Sequence, residues 1–150
     1  MNIYKFITSV GDMTKSNLFQ KIIFLLTNLI YFIPIILYGV NKITIAITII
    51  GIISIIYHLF QCKCSNNNTS KNLLLLDSIV GIIISIYIIY NLYDKLEIWW
   101  YILLLISLGI YAIGTSDKGL ILYLFLHSLW HIFSGLLFLY AAYIYNKNKK

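Results

Sequence analysis

Residues 120–145 read LILYLFLHSLWHIFSGLLFLYAAYIY, an apolar run without a single charged side chain. At 1.5 Å of rise per residue, a helix of this length exceeds the roughly 30 Å of a bilayer's hydrocarbon core, so it reads as a membrane span long enough to tilt or protrude. Inside it, His127-Ser-Leu-Trp-His-Ile-Phe-Ser-Gly135 sets two histidines four residues apart. On a helix they stack on one face, one turn apart, and could both reach a single metal ion. The third histidine, His58, also lies in an apolar run. One imidazole in such a setting reads most simply as a hydrogen-bonded core residue. All three of them there is a pattern.

The composition describes the surroundings of that pattern. The chain has 150 residues, the length of one domain, with 61% hydrophobic and only 11% charged residues. Soluble domains carry about a quarter charged residues. This is the composition of an integral membrane protein. The net charge of +6 comes from lysines scattered between apolar runs and from a terminal Asn146-Lys-Asn-Lys-Lys150 tail. It reads as anchoring at a membrane surface rather than as a nucleic-acid face, because no basic patch is interleaved with aromatics. The lysines divide almost evenly between the two sides and leave orientation open.

The expected architecture is all-α, a single multi-pass transmembrane bundle over 1–150 with spans at 22–40, 43–60, 73–92, 97–114 and 120–145. Residues 1–20 lack a signal peptide's apolar core and are expected along the interface. Pro34 should kink the first span. Asn41-Lys42 makes a tight turn, residues 61–71 form a polar loop, and Trp99-Trp100-Tyr101 looks like an interfacial aromatic belt. Residues 114–119 are turn-forming throughout. Cys62 and Cys64 read as free thiols or a palmitoylated juxtamembrane site. A Cys-Cys-His metal cluster with His58 would lack a fourth partner. Asn67 and Asn68 match the glycosylation acceptor pattern, close to the bilayer.

Each span must reverse its predecessor, so the end of span two, the start of span three and the start of span five share one side of the membrane. That gathers His58, His127 and His131 into one leaflet, together with Asp77 and with Ser54, one turn from His58 on the same face. A carboxylate in the bilayer costs a few kcal/mol on insertion scales and needs a partner or a wet cavity. One reading is an Asp-His pair that ties helices together. The other is a metal centre. Three imidazoles with a fourth position open is the ligand set of catalytic zinc, although imidazole also suits iron, copper or nickel.

Ser54-x-x-x-His58, Asp77 within Leu-Leu-Leu-Leu-Asp77-Ser, and His127-x-x-Trp130-His131-x-x-Ser134-Gly135 together resemble the signature of the CREST superfamily of membrane hydrolases. That superfamily includes alkaline ceramidases, adiponectin and progestin receptors, GPI-anchor remodelling proteins and myomaker-like proteins. The wording around His131 is most similar to the ceramidases, and Tyr57-His58 with its gap to Asp77 is more similar to the myomaker-like branch. The resemblance covers spans two, three and five. It implies a zinc cofactor held by His58, His127 and His131, with Asp77 orienting or deprotonating the attacking water. Ser54 would donate a hydrogen bond to that water or to the oxyanion. The implied activity is hydrolysis of a lipid amide or ester, with membrane lipids as partners. The superfamily resembles a seven-helix bundle and this chain has five spans, the shortfall falling between Asp77 and His127; a homo-oligomer such as a homodimer, or a host partner, would supply the missing walls. Two other classes compete: a receptor-like or fusion-related membrane protein with a structural metal site, and a small metal or proton transporter. Confinement of the polar groups to one leaflet counts against the transporter.

Overall fold

The structure, a computed structural model, describes residues 12–65, 67–115 and 119–148. Its first long helix begins four residues before the expected span, because Asn17 and Gln20 form a reciprocal capping box: Asn17 Oδ1 accepts from the Gln20 N–H and Gln20 Oε1 from the Asn17 N–H. The resulting rod, α1 (Leu18–Tyr38), is an α-helix over Leu18–Leu26, tightens to 3-10 geometry over Thr27–Phe32, and returns to α over Ile33–Tyr38. Pro34 sits at the start of that last piece, where its missing N–H costs least. The backbone departs from α geometry over Thr27–Phe32, just before Pro34. Gly39, at φ +67°, ends the rod in a conformation that favours glycine.

Asn41 then caps α2 (Lys42–Cys64), accepting from the Ile43 and Thr44 backbone N–H groups. Asn67 caps α3 (Asn68–Leu92) in the same way through the Ser70 N–H. The polar stretch 61–71, expected as a loop, is therefore almost wholly helical. Backbone hydrogen bonding carries both helices past the apolar runs, and only residues 65–67 connect them. α4 (Ile98–Thr115) and α5 (Leu120–Lys147) complete the five long helices among the described residues, in the expected order. Four of them, α1, α2, α3 and α5, are long and apolar enough to cross a membrane; α4 is a shorter apolar helix. The architecture is an all-α multi-pass bundle.

Packing follows the small residues. The 3-10 stretch of α1 lies between α2 and α5, approaching both where they carry glycine. A Cβ on Gly51 would sit 2.9 Å from Tyr31 Cβ, and one on Gly135 would collide with the branched side chain of Ile30. Close backbone approach over small residues is how helices associate without a hydrophobic driving force. Gly135→Ala is accordingly expected to destabilise the protein by about 1–3 kcal/mol, the usual range for overpacking. Gly109→Ala, inside α4 with nothing within 4 Å of the new methyl, serves as the control in thermal unfolding in detergent and should hold or raise stability.

α4 packs closely along α5 and α3 along α2, whereas the backbones of the consecutive α3 and α4 stay further apart and meet through side chains, as where Ser78 Oγ and Tyr111 Oη lie 3.3 Å apart. Trp100 is not the interfacial residue its neighbours suggest. It is fully buried between these elements and donates its indole N–H to the Leu137 carbonyl at 3.0 Å. Trp99 keeps the interfacial character, partly exposed and bonded to Glu97. At the opposite end, part of the stretch expected along the interface lies outside the described residues. Its described remainder docks on the bundle: Asp12 caps the turn Met13–Lys15, Met13 is fully buried, and its N–H donates to Ser65 Oγ. The Thr14 hydroxyl, bonding the Asp12 carboxylate, holds its pKa below the usual value.

Candidate metal centre

Counted from helix ends that are now longer than the apolar runs, His58, Asp77, His127 and His131 lie roughly 9 to 17 Å along their helices from the same end of the bundle. His58 on α2 meets His127 and His131 on α5, and all three are buried. One nitrogen from each ring can be chosen so that the three lie within 4.8 Å of one another. The closest pair is His58 Nε2 and His131 Nε2, 3.0 Å apart. Three nitrogens on one tetrahedral zinc, each bonded at 2.0–2.1 Å, would be separated by about 3.3 Å. The three side chains are therefore within a small adjustment of a common ion, and they form a group that could hold a metal.

The outer hydrogen bonds decide what the 3.0 Å contact is. Ser134 Oγ lies 2.7 Å from the Trp130 carbonyl and 2.7 Å from Tyr31 Oη. The carbonyl can only accept, so the serine proton goes to it. The second contact then carries a proton only if Tyr31 donates to Ser134. Tyr31 has no other proton, so its 3.3 Å contact with His131 Nδ1 requires an Nδ1–H donor. On the other ring, Gln61 Nε2 donates to the Tyr123 hydroxyl at 2.7 Å, and its Oε1 accepts from His58 Nδ1 at 2.8 Å. In neutral imidazoles both Nε2 atoms are then lone pairs, facing each other at hydrogen-bond distance with no hydrogen between them. His127 is unsatisfied altogether, with neither Nδ1 nor Nε2 hydrogen bonded. A shared proton would relieve the His58-His131 conflict alone. A metal ion accounts for all three rings.

The centre is closed on one side and open on the other. Phe24 packs against every imidazole, with ring centroids 4.5, 5.5 and 6.2 Å from those of His58, His127 and His131. Behind it Met13 and Tyr123 complete an apolar plug. On the other side His131 lines a cavity of about 160 Å³, to which all five helices contribute. Ser54 and Asp77 line the same cavity, near enough for their side chains to interact. His58 and His127 do not line it.

All five residues singled out in the sequence thus lie at one site, in two layers: the three histidines together, Ser54 and Asp77 in the adjoining cavity. No ion pair joins Asp77 to a histidine among the described residues, so the Asp-His tie between helices is not what the fold contains. Neither cysteine belongs to the histidine group; Cys62 packs beside the plug and Cys64 is exposed. Sequence reasoning missed Gln61, Tyr31 and Tyr123. Gln61 is three residues from His58, a spacing that places it on the same helix face once α2 is known to continue. Tyr31 reaches the site across 100 residues of chain and left no local signal. Compared with known protein families, curated proteins and solved structures, the chain matches none.

Proposed function

We propose that this protein is a zinc-dependent intramembrane hydrolase acting on a lipid amide or ester, a shortened relative of the CREST superfamily. The observation that carries the reading is the buried triad, in which the Nε2 atoms of His58 and His131 lie 3.0 Å apart and the third imidazole has no hydrogen-bond partner. Zinc in that position would act as a Lewis acid on a carbonyl and lower the pKa of a nearby water. The other parts of the reaction are supplied by the chain. As water oxygen attacks the carbonyl carbon, the Asp77 carboxylate accepts the water proton and later passes it to the leaving amine or alkoxide. The Ser54 hydroxyl donates a hydrogen bond to the carbonyl oxygen as negative charge develops on it. The apolar walls exclude bulk water, which strengthens both interactions.

The cavity supports a lipid rather than a soluble substrate. It is lined in part by Gly81 on α3 and Leu104 and Leu108 on α4, two helices that also carry the exposed Ile79, Ile83, Ile102 and Leu105. At about 160 Å³ it is smaller than the roughly 300–1,000 Å³ of pockets that enclose a whole drug-sized ligand. Only the reacting segment of a lipid fits, the remainder staying among the acyl chains. The test is mass spectrometry of lipid extracts from cells expressing the protein, with and without a membrane-permeant zinc chelator. A lysolipid or free sphingoid base that rises with expression and falls with chelation is the expected result. Profiles that do not change with expression overturn the enzyme.

One observation favours a second reading. His58 and His127 lie behind the cavity wall, so a metal there is only partly reached from it. A structural metal site in a non-catalytic membrane protein accounts for that arrangement, and it leaves Asp77 and Ser54 without a task.

A further inference from the structure

Three imidazoles converge at the centre, and hydrogen bonds behind two of them hold the rings in place. We infer that Tyr31 and Gln61 are positioning residues that lock His131 and His58 in the tautomer presenting Nε2 to the centre, and that His127 is the ligand left free to adjust. The inference rests on the proposed metal centre and adds to it an asymmetry among the ligands.

The two locks are built differently. His131 Nδ1–H is received by Tyr31 Oη, whose own proton goes to Ser134 Oγ and whose position depends on the 3-10 stretch lodged between Gly51 and Gly135. The chain ends on the Trp130 carbonyl, which cannot donate, so its polarity has one direction. His58 Nδ1–H is received by Gln61 Oε1 within the same helix, and the Gln61 amide is oriented by its donation to the Tyr123 hydroxyl. A second partner of this kind sets ring orientation and raises ligand basicity, and its loss typically costs 10–100-fold in metal affinity. His127 has no such partner; its ring packs against those of Phe24, Tyr123 and Tyr111, at centroid distances of 5.5, 5.1 and 6.0 Å, and against the other two imidazoles at 5.1 and 4.8 Å. Stacking constrains the plane of an imidazole and leaves its tautomer free.

The locks have a cost in the metal-free protein, since they force two lone pairs together at 3.0 Å. Removing a lock lets one ring switch tautomer and donate to the other. This separates a positioning role from simple packing, because metal affinity and metal-free stability should move differently.

The experiment has two arms. Nitrogen-15 NMR of histidine-labelled, metal-free protein in detergent should show Nδ1–H and bare Nε2 at His58 and His131. An Nε2–H signal at His131 overturns the inference, whether or not any variant folds. In the second arm, zinc affinity is measured by chelator competition and stability by thermal unfolding of the metal-free form. Tyr31→Phe should weaken zinc binding about 10–100-fold without lowering the metal-free melting temperature. Unchanged affinity, or a lowered metal-free melting temperature, overturns the positioning role. A wild type that binds no zinc would defeat the metal centre itself, while the tautomers, measured without metal, stand or fall separately.

Discussion

Asp77→Asn is expected to leave metal content and helical structure unchanged and to cut lipid turnover by about 10²-fold or more, the scale associated with losing a general base. Asparagine keeps the size and hydrogen-bonding reach of the side chain and removes its capacity to take a proton. The substitution should be well tolerated structurally, because Asp77 makes no ion pair among the described residues and faces the cavity, where an amide can be solvated as readily as a carboxylate. Replacing a carboxylate in an apolar span by a neutral amide also removes a desolvation cost, so stability should hold or rise. The measurement is product accumulation in lipid extracts of cells expressing wild type or Asp77→Asn at equal levels. Equal product from both would remove Asp77 from the chemistry. No product from either, in protein shown to carry metal, would favour the structural reading.

His127→Ala and His131→Ala should each abolish stoichiometric metal binding, against about one zinc per chain in the wild type as expected for a three-histidine site. His127 is the more informative of the two. Its nitrogens have no hydrogen-bond partner, so its removal breaks no hydrogen bond in the metal-free bundle and leaves mainly a cavity among aromatic rings. His131→Ala also strips Tyr31 of a partner. Ligand binding to the folded state stabilises it by about 4 kcal/mol at a thousand times Kd. Added zinc should therefore raise the melting temperature of the wild type and not that of either variant. Elemental analysis that finds no metal in well-folded wild type purified without chelators would defeat the hydrolase and the structural-metal readings together.

The bundle was legible because lipid as a solvent leaves little choice. An apolar run of span length has to satisfy its own backbone, and a helix does so locally. Helix ends were less legible, since Gln61 to Cys64 look like loop by composition yet continue α2, and Asn17 starts α1 inside a stretch read as interfacial. Capping and backbone hydrogen bonding, not hydropathy, set those ends. Trp100 shows the same limit from the other direction: its neighbours Trp99 and Tyr101 suggest an interface, and its burial comes from the approach of α5.

The all-α multi-pass class, the order of the helices, and the gathering of His58, Asp77, His127 and His131 toward one end can all be read from the residues in order. These follow from apolar run length and from the reversal that each short connection imposes. Three features come from packing: the histidines and the Ser54-Asp77 pair occupy separate layers, a cavity opens among the five helices, and Tyr31 and Gln61 stand behind two of the ligands. The reason is range. Periodicity and charge act within a few residues along the chain, whereas the contact between Tyr31 and His131 spans 100 positions and depends on the close approach of a 3-10 stretch to two glycines on other helices.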